Sequence, residues 1–489
     1  MDQEGKSVTR PTTARDSRWA ALLVLCTGML MIVLDMTIVN VALPAIQQDL
    51  GFSQSSLAWV VNAYLIAFGG LLLLAGRLGD LIGRKRMFLT GLGVFTVASV
   101  LCGVSFTPEM LIAARFVQGV GGAMATAVTL GMIVTMFPDP DEEARAIGVF
   151  SFVAAAGASV GLLAGGVLTQ ALNWHWIFFV NIPIGLAAAA LTARLVPADR
   201  GLGFGAGADV LGAVLVTAAL MLGVYTIVKT EEHGWGSAHT LLLGAVTIVL
   251  LVLFVARQRT ATNPLLPLRV FRSRNVTGAN AVQILMVAGM FGMFFLGTLY
   301  MQKVLGYDAL QIGLGFLPTA LAIGTLSVGM SARLIGRFGA RPVLLVGLAL
   351  ILLGLLWLTR VPVAGSYLTD LLPAVLLVGI GAGLAFPTMM TLAMSGATES
   401  DAGLASGLVN TTAQVGGALG LAVLATLSTG YTASLLARGE PETAALTKGF
   451  HLAFGIGAGL VALGIVLAVT VLRAERPAER PELEPVGVV

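Results

Sequence analysis

The sequence LDMTIVNVALP, residues 34–44, places one carboxylate, that of Asp35, in the C-terminal half of a long apolar segment that covers residues 19–43. An apolar segment of about 20 residues can cross the roughly 30 Å hydrocarbon core of a membrane as a helix. A carboxylate at that depth is costly, so we expect it to be paired, to bind a proton, or both. Asp35 is therefore the first candidate functional residue.

The composition of the chain excludes an ordinary soluble protein. Of the 489 residues, 57% are hydrophobic and only 11% are charged, and the mean hydropathy is +0.92. Soluble domains carry about 25% charged residues. Apolar segments separated by charged or Pro/Gly-rich breaks fill nearly all of the sequence. We therefore predict an all-α polytopic membrane protein without a separate soluble domain.

Fourteen apolar segments are candidates for transmembrane spans. They lie near residues 19–43, 57–76, 87–105, 109–137, 146–170, 176–196, 208–228, 240–256, 276–300, 310–332, 342–359, 370–393, 402–427 and 450–472. With both termini cytoplasmic, the inner segments hold 22 of the 28 Lys and Arg residues, the outer segments hold five, and Arg115 lies inside a span. Basic residues accumulate on the cytoplasmic side, so we predict a multi-pass protein of the cell membrane with both termini inside.

An internal repeat divides the chain into two halves. Short motifs of spans 4 and 5 and of the basic loop after span 2 return, in the same order, 260, 259 and 256 residues later. The predicted parts are a tail (1–18), a six-helix bundle (19–196), two inserted helices (208–256), a linker (257–275), a second six-helix bundle (276–472) and a tail (473–489). Repeated halves are typical of transporters, in which they move about a site near the membrane midplane.

Four motifs carry a resemblance to a known family. They are LDMTIVNVALP (residues 34–44), GRLGDLIGRKR (76–86), RFVQG (115–119) and WHWIFFVNIPIG (174–185). With these motifs the chain resembles the major facilitator superfamily, and more closely its fourteen-span drug:proton antiporter branch, over nearly its full length. The resemblance implies two six-helix bundles plus two extra helices, and proton-driven export of amphipathic small molecules. His175 and Ala413 stand where that branch commonly has Arg.

Asp35 and Arg115 are predicted to lie at the same depth. Asp35 is eight residues from the end of its span at Leu43, and Arg115 is seven residues from Pro108 at the same face. At 1.5 Å per residue, both are roughly 10 to 12 Å deep, which allows an ion pair. Desolvation favours the protonated acid and the nearby cation favours the ionised acid. The pair is therefore either a proton carrier or a permanent structural pair, and we favour the proton carrier.

The loop of residues 76–86 is a candidate gate. Its members are Gly76, Arg77, Gly79, Asp80, Gly83, Arg84, Lys85 and Arg86. The glycines permit a tight turn, and the cations hold the loop at the inner face. We expect Asp80 to pair with Arg84 or to cap a helix N-terminus, and to close the inner side in one state. The alternative is that the loop only anchors the topology.

A stripe of small residues marks span 5. Gly157, Gly161 and Gly165 recur every four residues, followed by Gly166, and the resemblance makes this the antiport motif of the family. Such stripes let helices approach closely. We expect either plain packing or a sliding interface with the second half.

Polar and adaptable side chains within spans are candidates for a substrate cavity. They are Asn40, Asn62, Gln118, Gln283, Met290, Phe294, Asn410 and Gln414. Amide groups can hydrogen-bond a ligand, while Met and Phe can form an adaptable apolar wall. Each of them has the alternative of a contact between helices or with lipid.

Two other classes of protein do not fit the sequence. An ATP-driven pump needs a phosphate-binding Gly-x4-Gly-Lys-Ser/Thr loop, which the chain lacks. An enzyme needs a cluster of catalytic groups, and four scattered His residues do not form one. We expect no catalytic residue, no metal, no cofactor and no nucleic acid. The expected partners are a small amphipathic substrate, protons and the lipid bilayer, around a monomer. The alternative function is a proton-coupled importer or facilitator of the same fold.

Overall fold

The structure is a computed structural model that describes residues 12–199, 201–203, 207–395 and 402–472. Most of both predicted tails lies outside these ranges. The described residues form helices and connections without a β-strand, so the prediction of an all-α protein is confirmed. The helices are α1 (Thr12–Leu50), α2 (Gln54–Ile82), α3 (Arg84–Gly103), α4 (Pro108–Met136), α5 (Pro140–Ala171), α6 (Trp176–Phe179), α7 (Asn181–Leu195), α8 (Val210–His233), α9 (Ala238–Thr260), α10 (Arg274–Lys303), α11 (Ala309–Thr325), α12 (Ser331–Phe338), α13 (Ala340–Leu358), α14 (Leu372–Ser395), α15 (Ala402–Leu436) and α16 (Glu442–Thr470).

Twelve of the described helices are long and apolar enough to cross a membrane. Two shorter apolar stretches, Val160–Ala171 in α5 and Ala309–Thr325 in α11, lie where we predicted spans 5 and 10. A π-helical turn, Leu326–Met330, follows the second stretch. The count of fourteen transmembrane spans therefore stays a prediction, whereas the polytopic architecture is established.

Side-chain caps begin several of the long helices. The hydroxyl groups of Ser53 and Thr107 accept hydrogen bonds from backbone N–H groups in the first turns of α2 and α4. Asp308 and Gln311 form a reciprocal capping box at the start of α11. These residues satisfy N–H groups that have no partner within the helix. The polar breaks between apolar segments thus fix where the helices start.

The two halves of the chain are packed alike. In the first half α1 lies against α5, and α3 lies against α4. In the second half α10 lies against α15, and α13 lies against α14. The halves meet along two helix pairs, α2 with α15 and α5 with α11. Helix α8 packs on both α2 and α15, and α9 packs on α8. The predicted domain boundaries themselves stay predictions.

Glycine contacts repeat together with the helix pairs. A methyl group on Gly161 of α5 would lie 2.9 Å from the carbonyl oxygen of Leu34 in α1. A methyl group on Gly420 of α15 would lie 2.3 Å from the Cα of Ala288 in α10. Real Cβ atoms do not approach other atoms that closely in a packed interior. Glycine is therefore what lets α5 lie on α1 and α15 lie on α10.

Candidate functional site

The carboxylate of Asp35 lies at the centre of a hydrogen-bonded cluster inside the first half. Arg115 of α4 donates through Nη1 to Asp35 Oδ2 at 2.5 Å. Gln118 of α4 and Asn181 of α7 both donate to Asp35 Oδ1, at 2.8 Å and 2.9 Å. Gln118 also donates to the hydroxyl group of Ser99 in α3 at 2.9 Å. Three helices, α3, α4 and α7, thus supply the groups that surround the carboxylate on α1.

The cluster is sealed from solvent. Asp35 is 0% exposed and Arg115 is 1% exposed, and the three neutral members of the cluster are fully buried. Both carboxylate oxygens accept hydrogen bonds from this set of donors. Hydrogen bonds and a cation stabilise an ionised carboxylate inside a medium of low dielectric constant. In this arrangement the carboxyl group and the guanidinium are paired with each other and with neutral side chains, away from solvent.

Arg115 also connects the cluster to α2. Its Nε donates to the backbone carbonyl of Val60 at 2.9 Å, and its guanidinium carbon lies 4.4 Å from the ring centroid of Tyr64. A methyl group on Gly119 would lie 2.5 Å from the carbonyl oxygen of Tyr64, so α4 and α2 are in direct backbone contact here. Helix α2 also packs on α15 of the second half. The cation is thus held by a helix that lies at the contact between the halves.

The sequence pointed to part of this cluster only. Asp35 and Arg115 meet, as their matched depths suggested, while the proton-coupling role stays a prediction. Gln118 was expected in the substrate cavity; its amide group is fully buried against Asp35, and a role in substrate binding stays a prediction. Asn181 and Ser99 were missed. Asn181 stands within the motif of residues 174–185, so a polar residue at the entry of an apolar span was the available signal.

The loop between α2 and α3 is tied to its own half of the molecule. Arg84 contacts Asp80 through Nη2 at 3.2 Å and donates to the carbonyl of Gly131 in α4 at 3.0 Å. Lys85 donates to the carbonyl of Val196 after α7 at 2.7 Å. The Nε of Arg77 donates to the carbonyl of Gly207, just before α8. The expected pairing of Asp80 with Arg84 is present, whereas gating stays a prediction.

Asp199, which the sequence did not single out, caps the N-terminus of α3. Its carboxylate accepts the backbone N–H groups of Arg84 at 2.6 Å and Lys85 at 3.1 Å. Gly83, between α2 and α3, has a φ of +101°, a backbone conformation that residues with a side chain rarely adopt. Partial burial raises the pKa of Asp199, but hydrogen bonds from the two backbone N–H groups and the charge of Arg84 outweigh it and lower that pKa. Asp199 therefore caps the N-terminus of α3, and Asp80 pairs with Arg84.

The other loop positions have simpler surroundings. A methyl group on Gly79 would lie 2.3 Å from Val128 Cγ1, so Gly79 permits close packing of α2 on α4. Gly76 has more room, because its nearest neighbour, Ala127 Cβ, would be 3.9 Å from such a methyl group. Arg86 is exposed.

The glycine stripe of α5 faces two different helices. Methyl groups on Gly157 and Gly165 would lie 2.9 Å from Leu30 Cδ1 and 2.8 Å from the carbonyl oxygen of Ile38, both in α1. Gly161 faces α1 as well. These three glycines pack within the first half, and a sliding interface with the second half stays a prediction. Gly166 faces the other way, and a methyl group on it would lie 2.8 Å from the Cα of Leu310 in α11.

The predicted cavity residues of the first half are not gathered at one place. Asn40 donates to the carbonyl of Met36 in its own helix at 3.0 Å and is half-buried. Asn62 is 0% exposed, and its amide group has no hydrogen-bond partner among the described residues. A buried amide without a partner is unusual and costs free energy. Asn62 is therefore the strongest remaining candidate of this group for a ligand contact.

The predicted cavity residues of the second half lie on α10 and α15. Gln283 and Met290 are buried, and Phe294 lies 5.4 Å from Phe316 between ring centroids. Gln414 is half-buried, and a methyl group on Gly69 of α2 would be 2.7 Å from its Cβ, so Gln414 lies at the contact between the halves. Asn410 is exposed on the same helix. Their role in substrate binding stays a prediction.

Two similarly packed helical halves of high hydropathy define a polytopic α-helical membrane protein of the transporter class. The chain belongs to the Major Facilitator Superfamily, whose family model matches residues 25–421. Among solved structures, a bacterial homologue of the human lysosomal transporter Spinster superposes with a TM-score of 0.66 at 14% identity, over 93% of this chain and 98% of that one. At this identity the likeness shows the fold alone.

Relatives with established names cover most of the chain. A puromycin resistance protein of Streptomyces alboniger is 40% identical over 92% of this chain and 90% of its own length. A cephamycin export protein of Amycolatopsis lactamdurans is 40% identical over 87% of this chain and 88% of its own length. A tetracenomycin C resistance and export protein of Streptomyces glaucescens is 34% identical over 87% of this chain and 79% of its own length. The chain is similar to these proteins over nearly the whole fold.

Proposed function

We propose that this protein exports amphipathic small molecules, antibiotics among them, across the cell membrane of a bacterium in exchange for protons. The relatives named for antibiotic export and resistance support the export of such compounds. The observation that carries proton exchange is the buried Asp35–Arg115 pair with its ring of neutral donors. Ionisable residues at membrane depth are mostly functional, and acids there commonly relay protons.

The proposed cycle begins with Asp35 ionised, as its donors require. Binding of a proton to Asp35 neutralises the carboxylate and removes the main attraction for Arg115. The guanidinium is then left with the carbonyl of Val60 and the ring of Tyr64, both on α2, and with Oε1 of Gln118 on its own helix. The strength of the Asp35–Arg115 contact and the position of α2 therefore depend on each other. This is the link that exchange needs between proton binding and movement of the halves.

The same proposal assigns a topology. We place both termini and the loop of residues 76–86 on the cytoplasmic side, from the distribution of Lys and Arg. Asp35 then lies nearer the outer face, from which a proton would enter down its gradient. The pairing of Asp80 with Arg84 and the cap from Asp199 would hold the cytoplasmic ends of α2, α3 and α4 as one unit while the halves move.

The test is proton movement in proteoliposomes with an imposed pH gradient, with puromycin added as the first compound. Wild type should release protons in step with puromycin movement, and Asp35→Asn should abolish that release. The matched control is Asp209→Asn. Asp209 is also a buried carboxylate bonded to an arginine, at 2.9 Å to Arg257, but it lies at the start of α8. We expect the control to retain proton release.

Two outcomes would contradict parts of the proposal. If Asp35→Asn transports a compound with the same proton movement as wild type, the pair is structural and the coupling mechanism is wrong. If protons and compound move in the same direction, the protein is an importer of the same fold. A mutant that lacks transport because it is misfolded is recognised by its elution profile and melting temperature in detergent.

A further inference from the structure

A cavity lies away from the Asp35 cluster, at the end of the bundle that carries the basic loops. Its volume is about 320 Å³, and it lies between α2, α8, α9, α10, α15 and the segment that joins α9 to α10. Its walls are almost wholly apolar and include Leu73, Val216, Phe254, Phe271 and Leu408. A volume of this size is at the lower end of the range for small-molecule sites.

The cavity follows helix α10 for about two turns. On α10 it is lined from Thr277 to Ile284, which corresponds to roughly 10 Å of helix. Thr277 is exposed, while Thr411 lies deeper, with a buried hydroxyl group that has no partner among the described residues. A long apolar slot with a few polar atoms matches an acyl chain and its ester group better than a compact polar ligand.

The outer wall of the cavity borders lipid. Only 6% of the most apolar stretch of α9 is buried, so nearly all of that helix faces its surroundings. The base of the α8–α9 pair is fixed by Asp209, which accepts hydrogen bonds from Arg257 and from Gln258 at 2.8 Å. Gln258 in turn accepts the backbone N–H of Leu266, a wall residue, at 3.0 Å. The cavity therefore lies between the lipid-facing helix α9 and a connecting segment that hydrogen bonds hold in place.

The mouth of the cavity is strongly basic. Residues 257–280 contain five arginines and no acidic residue. Arg272 and Arg274 are exposed, and Arg274 lies one helical turn before Thr277 of the cavity. Clusters of arginine beside a membrane attract acidic lipids. The partner that fits both features has a negative headgroup and an apolar chain.

We propose that this cavity binds one acyl chain of an acidic phospholipid, with its phosphate beside Arg272 and Arg274. The site lies along the contact between the halves, because Gly69 of α2 and Leu408 and Thr411 of α15 line it. A lipid held there stabilises the arrangement of α2, α8 and α15 seen in this structure, and it must be displaced or rearranged when the halves move. The inference is independent of the exported compound.

The experiment is native mass spectrometry of the full-length protein, titrated in detergent with phosphatidylglycerol or with phosphatidylcholine. We expect one retained phosphatidylglycerol and much weaker retention of phosphatidylcholine. The double variant Arg272→Gln/Arg274→Gln should lower retention of phosphatidylglycerol by about 30-fold. The variant Ala281→Phe fills the slot from α10, where Ala281 is a half-buried wall residue, and should remove retention of both lipids.

The control variant is Arg333→Gln/Arg337→Gln, which removes the same charge from two exposed positions on α12, away from the cavity. It should retain phosphatidylglycerol like wild type. Equal retention of the two lipids, or equal loss in the control, would overturn the assignment of the headgroup. Retention that is unchanged in Ala281→Phe would overturn the assignment of the chain. Melting temperatures of all variants show whether each one is folded.

Discussion

The two halves of the molecule share their packing but not their chemistry. Positions that correspond by their glycine contacts are 254 residues apart between α1 and α10, since Leu34 contacts Gly161 and Ala288 contacts Gly420. By that offset, Gly289 corresponds to Asp35. A methyl group on Gly289 would lie 2.6 Å from the carbonyl oxygen of Gly457. Where the first half holds a carboxylate, the second half has two helix backbones in contact.

The partners of the carboxylate are replaced as well. The offset of 260 residues between α4 and α14 relates Arg115 to Val375 and Gln118 to Val378, and both valines are buried. The offset of 256 residues between α3 and α13 relates Ser99 to Leu355, which is 0% exposed. The second half therefore shows that this packing does not need an ion pair. The cluster in the first half is an addition to the fold, which is the strongest reason to assign it a function.

The largest expected effect follows from removing the cation. Arg115→Leu leaves the carboxylate of Asp35 buried and unpaired, and we expect it to cost about 3 to 5 kcal/mol of unfolding free energy. The change Val375→Leu at the corresponding position adds one methylene group without leaving a charge unpaired, and it should cost less, about 1 to 3 kcal/mol. Chemical unfolding in mixed micelles measures both values.

The double variant Asp35→Asn/Arg115→Leu separates the two explanations of that loss. If an unpaired charge is its cause, the double variant should recover much of the stability, because no buried charge is left. Additive losses would instead mean that the guanidinium stabilises α4 mainly through its contacts with Val60 and Tyr64. In that case the ion pair would not be the main difference in stability between the two halves.

The sequence predicts the architecture well because long apolar segments and basic loops are strong signals. Depth along a span was also predictable, and it brought Asp35 and Arg115 together. The rotation of each helix about its own axis could not be predicted from the sequence. Asn181 and Ser99 face the carboxylate only because α7 and α3 turn those sides inward. In the same way, a glycine stripe predicts a close approach without saying that Gly161 faces α1 rather than the second half.

Matched glycine substitutions should have a smaller effect and test whether packing is indeed shared. Gly161→Ala and Gly420→Ala each force a methyl group against backbone, and overpacking of this kind costs about 1 to 3 kcal/mol. We expect similar losses of melting temperature in both halves. Only Gly161→Ala should also weaken proton release in proteoliposomes, because Leu34 is the neighbour of Asp35. Equal loss of proton release in both variants would mean that proton release depends on close packing in both halves and not on the surroundings of Asp35 alone.

The smallest expected effect concerns the loops at the basic end. Asp199 caps α3 in the first half, whereas α13, its counterpart, begins after Gly339 and receives no such hydrogen bond from a side chain of the described residues. Asp199→Asn keeps an oxygen that accepts hydrogen bonds but removes the charge, so it should cost about 0.3 to 1 kcal/mol at pH 7, the range for a charge near an exposed helix N-terminus.

The pH dependence of that loss has a defined sign. The pKa of Asp199 is lowered in the folded protein, so the ionised cap stabilises the fold above the pKa of the unfolded chain, near 3.9. The stabilisation is lost as the pH falls through the lower, folded value. The difference in melting temperature between wild type and Asp199→Asn should therefore vanish on acidification from pH 7 to about pH 3. A difference that persists at acidic pH would show that the carboxyl group stabilises α3 through its hydrogen-bond geometry rather than its charge. A neutral residue could then give α13 in the second half an equivalent cap.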